Sequence, residues 1–354
     1  MKRLQIRDDL TALEGYHSVQ VDAEVRLNTN ESPFPPSAEY LADLCTAIEA
    51  STLNRYPDRA MGSLRHALGD LHGVSPAEVF CANGSNEVLQ SICLAFGGAG
   101  RSVMVFEPTY ALHSHIARIT GTDVIVVERD ASFELDVETV AAAISAADPA
   151  ITFLCSPNNP TGLIEPSAII EAALESSTGL VVVDEAYGQF SSTTASALRH
   201  GPGGDRLAVS RTFSKTWALA GLRLGYLEAD PAIIEGCEIV GLPYNVGSIT
   251  QIAGLLALEH LESMEAHVVM LVEQRSLLLE ALRDLEVDVW PSESNFILFR
   301  PRVRSGREVW SDLMAQSVLI RDCSSWPRLS DCLRVTVGTP VENDRFIHAL
   351  KEAL

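Results

Sequence analysis

Ser210-Arg211-Thr212-Phe213-Ser214-Lys215, running on to Ala220-Gly221-Leu222-Arg223-Leu224-Gly225-Tyr226, sets one lysine behind two hydroxyl residues, with an arginine eight residues further on. Leu207 to Val209 ahead of it read as a short buried strand, and Leu224 to Leu227 open another. A lysine amine held between two strands is poorly hydrated, which lowers its pKa and makes it a usable nucleophile. Such an amine forms a Schiff base with an aldehyde. Thr212, Ser214 and Arg223 are then donors for a phosphate on the same ligand. An aldehyde and a phosphate on one molecule suggest pyridoxal 5'-phosphate. The same hexapeptide also suits a solvated lysine on a Ser/Thr turn, so the rest of the chain has to decide.

The chain has 354 residues, 47% of them hydrophobic, enough for a large core or two domains. A net charge of -21 argues against nucleic acid as a partner and against anionic membrane surfaces. Anionic ligands then need local concentrations of arginine, so the position of each arginine carries information. Seven cysteines, at 45, 81, 93, 155, 237, 323 and 332, form no CxxC pair. Several sit in apolar runs, as expected of buried free thiols in a reducing compartment. The first residues lack the apolar core of a signal peptide, and no apolar run approaches a membrane span. A cytoplasmic protein is expected.

Residues 1–35 read as irregular, rich in turn formers such as Leu27-Asn28-Thr29-Asn30-Glu31-Ser32-Pro33. Helical spacing follows over 37–50, then an Asn54-Arg55-Tyr56-Pro57-Asp58 loop and a helix over 61–71. From there short apolar strands near 79–81, 102–106, 123–127, 151–155, 180–183, 207–209 and 224–227 alternate with helices. That pattern means a mostly parallel sheet covered on both faces. Beyond 227 the spacing predicts helices over 231–240 and 251–285. The latter leads into a second region, with strands at 287–289, 295–299, 318–320 and 333–337 and helices over 307–316 and 342–354. The expected division is an arm and part of the small domain (1–50), a large cofactor domain (51–265) and a small domain (266–354).

Ligands of such sheets bind outside the carboxyl ends of the strands. Asn83-Gly84-Ser85, Tyr110, Asn159, Asp184 with Tyr187, and Thr212 to Lys215 all fall just past a strand end. A carboxylate at the end of a buried strand, Asp184, is costly unless paired, and a protonated pyridine nitrogen is a suitable partner. Its plainer use is a helix N-cap. Tyr187 and Asn159 could reach a ring oxygen; as single residues they read as packing and as a turn. Tyr110 could stack on a ring or fill the core. Gly84-Ser85-Asn86 opens a helix whose N–H groups and dipole favour a phosphate, as every helix start does. Arg321 and Arg334 each adjoin an apolar strand, and together in an acidic protein they point to an anionic substrate group.

Asn83-Gly84-Ser85-Asn86-Glu87, Ser156-Pro157-Asn158-Asn159-Pro160-Thr161-Gly162, Val183-Asp184-Glu185-Ala186-Tyr187, Thr212-Phe213-Ser214-Lys215 with Ala220-Gly221-Leu222-Arg223, and Leu333-Arg334-Val335-Thr336-Val337-Gly338 stand in one order along the chain. Taken together this set resembles the fold-type-I pyridoxal phosphate aminotransferases, and within them the histidinol-phosphate aminotransferase family. The resemblance runs from Asn28 to Gly338. It implies a three-layer α/β/α large domain with a mostly parallel sheet and a smaller α+β domain. Lys215 is then the Schiff-base lysine and proton shuttle, Asp184 the partner of the pyridine nitrogen, and Tyr187 and Asn159 the ligands of the ring hydroxyl oxygen. Ser85, Asn86, Thr212, Ser214 and Arg223 would hold the cofactor phosphate, and Tyr110 would stack on the ring. Tyr56 would reach the cofactor phosphate of a partner subunit, which implies a homodimer. Arg334 would bind the acid group of the substrate, Arg321 with it would suit a substrate phosphate, and Tyr16 and Asn30 would close over the substrate. The implied reaction passes an amino group from histidinol phosphate to 2-oxoglutarate. Rival readings on the same fold are an aromatic or broad-range aminotransferase and a phosphothreonine-type decarboxylase. The chain departs from the family pattern at Gly15, where proline is common, and at Asp322-Cys323-Ser324-Ser325-Trp326, which is bulkier. Both departures lie at the substrate end.

Overall fold

The computed structural model describes residues 4–11, 13, 15 and 21–354. Its strands are β1 (Val25–Leu27), β2 (Val79–Ala82), β3 (Ser102–Glu107), β4 (Asp123–Glu128), β5 (Ile151–Cys155), β6 (Leu180–Asp184), β7 (Leu207–Thr212), β8 (Gly225–Glu228), β9 (Val287–Val289), β10 (Phe296–Pro301), β11 (Val318–Asp322) and β12 (Leu333–Thr336). The helices are α1 (Ala38–Glu49), α2 (Gly62–His72), α3 (Ser85–Phe96), α4 (Ala111–Ile119), α5 (Val137–Ala147), α6 (Ser167–Ser176), α7 (Pro231–Val240), α8 (Ser248–Glu259), α9 (Leu261–Arg283), α10 (Gly306–Ala315) and α11 (Pro340–Ala353). Local chemistry sets several starts. Ser37 and Asp136 cap α1 and α5 by accepting from Tyr40 and Thr139 N–H groups, and Ser305 and Thr339 form capping boxes with Glu308 and Glu342.

β2 to β8 form one sheet in the order β2-β8-β7-β6-β5-β3-β4. Every strand in it is parallel except β8, which runs antiparallel to both β2 and β7. Alternate side chains serve opposite faces. Val103, Val105, Phe153 and Val182 pack with Leu89, Ile116 and Ile233 of α3, α4 and α7. Met104, Phe106, Leu154, Val181 and Val183 pack with Ile144 and Ile170 of α5 and α6. This is a three-layer α/β/α unit, and burial on both faces is why the strands are uniformly apolar. The second sheet, β1-β11-β12-β10-β9, packs on α9, α10 and α11 through Leu271, Leu313 and Phe346.

Two sequence expectations need correction. The first 35 residues are not wholly irregular: β1 pairs in parallel with β11, Val25 opposite Val318 and Leu27 opposite Ile320. Three residues are too few to show a period, and only the edge of β11 supplies the hydrogen bonds that make them a strand. The helix expected over 251–285 is two helices, α8 and α9, that break at His260. His260 there meets Asp43 of α1 at 2.9 Å, a contact invisible in the apolar spacing. Since Tyr40 of α1 also donates to the Ala253 carbonyl of α8, residues 25–49 serve both sheets.

Beneath the lysine stretch lies a buried ionic knot. Arg211 of β7 bonds Glu185 through Nη2 at 2.6 Å and Glu228 of β8 through Nη1 at 2.6 Å, with Thr194 and Ser196 as further acceptors. Alternation along β7 aims Arg211 away from the face that Thr212 serves. Removing the cation would strand two buried carboxylates. An Arg211→Met variant is expected to lose about 3–5 kcal/mol of stability, read as a lower unfolding midpoint in chemical denaturation.

Candidate active site

The carboxyl ends of β2, β3, β5, β6 and β7 face a cavity of about 350 Å³ that residues of the second sheet and of the N-terminal segment close. Its wall contains Ser85, Asn86, Tyr110, Asn159, Asp184, Tyr187, Thr212, Ser214, Lys215 and Arg223 from the large sheet's side. Asn30 and Arg334 complete it, with Thr29, Glu31 and Trp326. Two other residues of interest stand elsewhere. Arg321 lies directly opposite Arg334 on the β11–β12 pair, beside the cavity rather than in its wall. Tyr56 is 80% exposed and stacks on Tyr244, ring centroids 4.5 Å apart. Tyr16 lies outside the described residues.

At one end of the cavity the donors converge. Gly84, with φ +79°, precedes α3, and a Cβ there would come within 2.5 Å of the Arg223 guanidinium. Gly225 lets β8 start against that helix end, since a Cβ would stand 2.2 Å from the Ser85 nitrogen. Thr212 Oγ1 donates to Ser214 Oγ at 3.0 Å, and Arg223 Nη1 donates to the same oxygen at 3.2 Å. Two hydroxyls, a guanidinium and the N-terminus of a twelve-residue helix make a cup suited to a phosphate.

At the other end Asp184 is buried at the close of β6. Its Oδ2 lies 3.1 Å from His113 Nε2, and its Oδ1 accepts from the Ala186 N–H at 3.2 Å. His113 is stacked on Phe153 (4.8 Å between centroids) and edge-on to Tyr110 (5.4 Å), so the imidazole fixes the carboxylate in place. His113 escaped the sequence reading. Its only signal was the three-residue spacing from Tyr110, which puts both on one face of the turn that starts α4.

Between the two ends sits the Lys215 amine. Nζ donates to the Thr29 carbonyl at 2.9 Å and lies 5.8 Å from the Tyr187 ring centre. Burial, then the nearby Arg334 cation, push its pKa down to about 7, against a smaller opposing pull from Glu31. Burial likewise raises the Tyr187 hydroxyl, which therefore keeps its proton. Tyr187 Oη accepts from the Asn30 amide at 2.9 Å and from the Asn159 amide at 3.5 Å, leaving its own proton to donate. Arg334 donates to Asn159 Oδ1 and to the Asn28 carbonyl (3.1 Å), while its Nε finds no partner among the described residues. Asn30, at φ +55°, is clasped by Thr336 and Asn295, which ties the segment before α1 to the second sheet. A phosphate cup, a reactive amine and a buried carboxylate in one cavity fit a ligand that carries a phosphate, an aldehyde and a basic ring nitrogen.

The chain matches the family described as aminotransferase class I and II over residues 23–350. A histidinol-phosphate aminotransferase of Thermobifida fusca is 43% identical, over 99% of this chain and 95% of that one. One of Corynebacterium diphtheriae is 41% identical, over 99% and 96%. The crystal structure of histidinol-phosphate aminotransferase from Sinorhizobium meliloti in complex with pyridoxal-5'-phosphate superposes with a TM-score of 0.84, covering 94% of this chain and 91% of that one at 24% identity, a likeness of fold. On the family match and these full-length relatives, the chain belongs to the aminotransferase class I and II family, in the branch whose members are named histidinol-phosphate aminotransferase.

Proposed function

We propose that the enzyme is a pyridoxal 5'-phosphate-dependent aminotransferase that passes the amino group of histidinol phosphate to 2-oxoglutarate. The observation that carries this is the buried Lys215 amine, which shares one cavity with the phosphate cup, the buried Asp184 carboxylate and Arg334. Ser85, Asn86, Thr212, Ser214 and Arg223 would hold the cofactor phosphate, Tyr110 its ring face, Asp184 its ring nitrogen, and Asn159 with Tyr187 its ring oxygen. Bound there, pyridoxal phosphate supplies the aldehyde that takes up an amine and the ring that accepts electrons from Cα. Lys215 Nζ, its pKa brought down to about 7, would take the Cα proton of the bound donor and keep it within reach for return. Asp184, oriented by His113, keeps a proton on the ring nitrogen. Arg334 and Arg321 bind the donor's phosphate and then a carboxylate of the 2-oxo acid, since guanidinium suits either anion. Asn30, and Tyr16 beyond the described residues, would close over the substrate.

We place the boundaries of the arm, the large domain and the small domain at residues 50 and 265. Seven free thiols, six of them buried, support a cytosolic location. No helix among the described residues is long and apolar enough to cross a membrane. Exposed Tyr56, with Leu53, Ile239 and Leu242 also exposed, supports a homodimer in which Tyr56 reaches the partner's cofactor phosphate.

Measurements of activity, of cofactor trapping and of mass test this. Purified enzyme should transaminate histidinol phosphate with 2-oxoglutarate. Arg321→Ala should lower kcat/KM for histidinol phosphate about 10²-fold while leaving phenylalanine within about fivefold; equal losses on both donors count against a phosphorylated substrate. Only the unprotonated amine reacts, so uptake of pyridoxal phosphate by the apo-protein, trapped on Lys215 with borohydride, should rise with pH and be half-maximal near 7. Arg334→Met removes a like charge and should move that midpoint upward; a midpoint near that of free lysine in the parent enzyme refutes the depressed amine. Sedimentation should give twice the mass of the chain, and Tyr56→Ala should weaken cofactor retention in the dimer.

A further inference from the structure

Trp326 lies in the connection between β11 and β12, within the stretch that is bulkier than the family pattern. Successive turns hold that connection: Trp326 N–H donates to the Cys323 carbonyl (2.9 Å), Leu329 N–H to Trp326 (3.1 Å) and Cys332 N–H to Leu329 (2.9 Å). Its ends are bridged by Cys323 N–H to the Cys332 carbonyl at 3.0 Å. Leu329 and Cys323 pack with Leu298 of β10 and with Phe133, which belongs to the large sheet's side. Further along, Arg328 donates to the carbonyls of Arg129 and, at 3.0 Å, Asp130, just beyond β4. The indole is thus held from both sides of the cavity whose wall it joins.

Arg321 and Arg334 are direct partners on β11 and β12. Like charges directly opposite each other destabilise a strand pair. The Trp326 ring stands within reach of both, its centroid 5.3 Å from Arg321 Cζ and 5.9 Å from Arg334 Cζ. The negative face of an aromatic ring attracts each cation without neutralising it. A carboxylate in that position would cancel the charge an incoming anion has to meet. An indole orders the two guanidinium groups and adds no countercharge of its own.

We propose that Trp326 is a specificity-determining positioning residue: its ring clamps Arg321 and Arg334 into one dianion-binding pair, so that the site favours a donor ending in a phosphate over the same donor without it. The inference rests on the phosphorylated-donor reading above. The clamp acts on binding and not on proton transfer, so its loss should appear in KM.

The test compares the holoenzyme with its Trp326→Leu and Trp326→Phe variants, using histidinol phosphate and histidinol as donors and inorganic phosphate as a competitive inhibitor. Leucine keeps an apolar wall and loses the ring quadrupole; phenylalanine keeps a weaker one. For Trp326→Leu the KM for histidinol phosphate should rise about tenfold with kcat within about twofold, and inhibition by phosphate should weaken by a similar factor. Trp326→Phe should fall between, at about threefold, and the KM for histidinol should move less than about twofold in either variant. Unchanged KM and phosphate inhibition in Trp326→Leu overturn the clamp, as do equal rises for both donors, which would make Trp326 a general wall. A parent enzyme that does not turn over histidinol phosphate refutes the functional reading instead, and phosphate inhibition then decides the clamp alone.

Discussion

The site depends on one unfavourable arrangement, an amine buried beside an arginine. Lys215 would ordinarily carry a proton, but burial and the Arg334 charge remove the benefit of holding it. The amine donates to the Thr29 carbonyl at 2.9 Å, which fixes where it points. Each part of this comes from a different place. The lysine follows β7 of the large sheet, the arginine sits on β12 of the second sheet, and the carbonyl belongs to the segment between β1 and α1. The electrostatics of the amine therefore exist only when all three pieces are assembled.

That segment is the mechanical link. Asn28 and Thr29 use their carbonyls on Arg334 and Lys215, and the Asn30 side chain reaches Tyr187 and Thr336. β1 anchors one end of it to β11, and α1 anchors the other against α8. A short polar stretch with no core of its own is ordered by bonds to both sheets, and in return it closes the cavity. The opposite face of the large sheet is stabilised separately. There Arg211 draws Glu185 and Glu228 together one residue away from Thr212 and Asp184, so the strands that carry the site are cross-linked by charge behind it.

The β11–β12 pair follows a different logic. Its cations are close by construction, since Arg321 and Arg334 are register partners. Closeness of like charges has to be compensated, and Trp326 lies against both. The residue that looked like a departure from the family pattern is the one the two arginines share.

Much of the fold was legible because the strands of the large sheet are buried on both faces, and continuous apolar runs between amphipathic helices have few other solutions. The placement of Ser85, Asn159, Asp184, Thr212 and Lys215 past strand ends was legible for the same reason, because parallel strands bring their carboxyl ends to one rim. What the chain could not disclose locally depends on contacts between distant residues. β1 becomes a strand only against β11, the helix break at His260 is marked by an ion pair to α1, and His113 matters only because α4 lays it on Asp184. The layered architecture and the types of group at the site follow from local periodicity and side-chain chemistry. The surroundings of Lys215, the pairing of Arg321 with Arg334 and the Trp326 ring near both exist only in the assembled fold, since charge and aromatic interactions act through space and not along the chain.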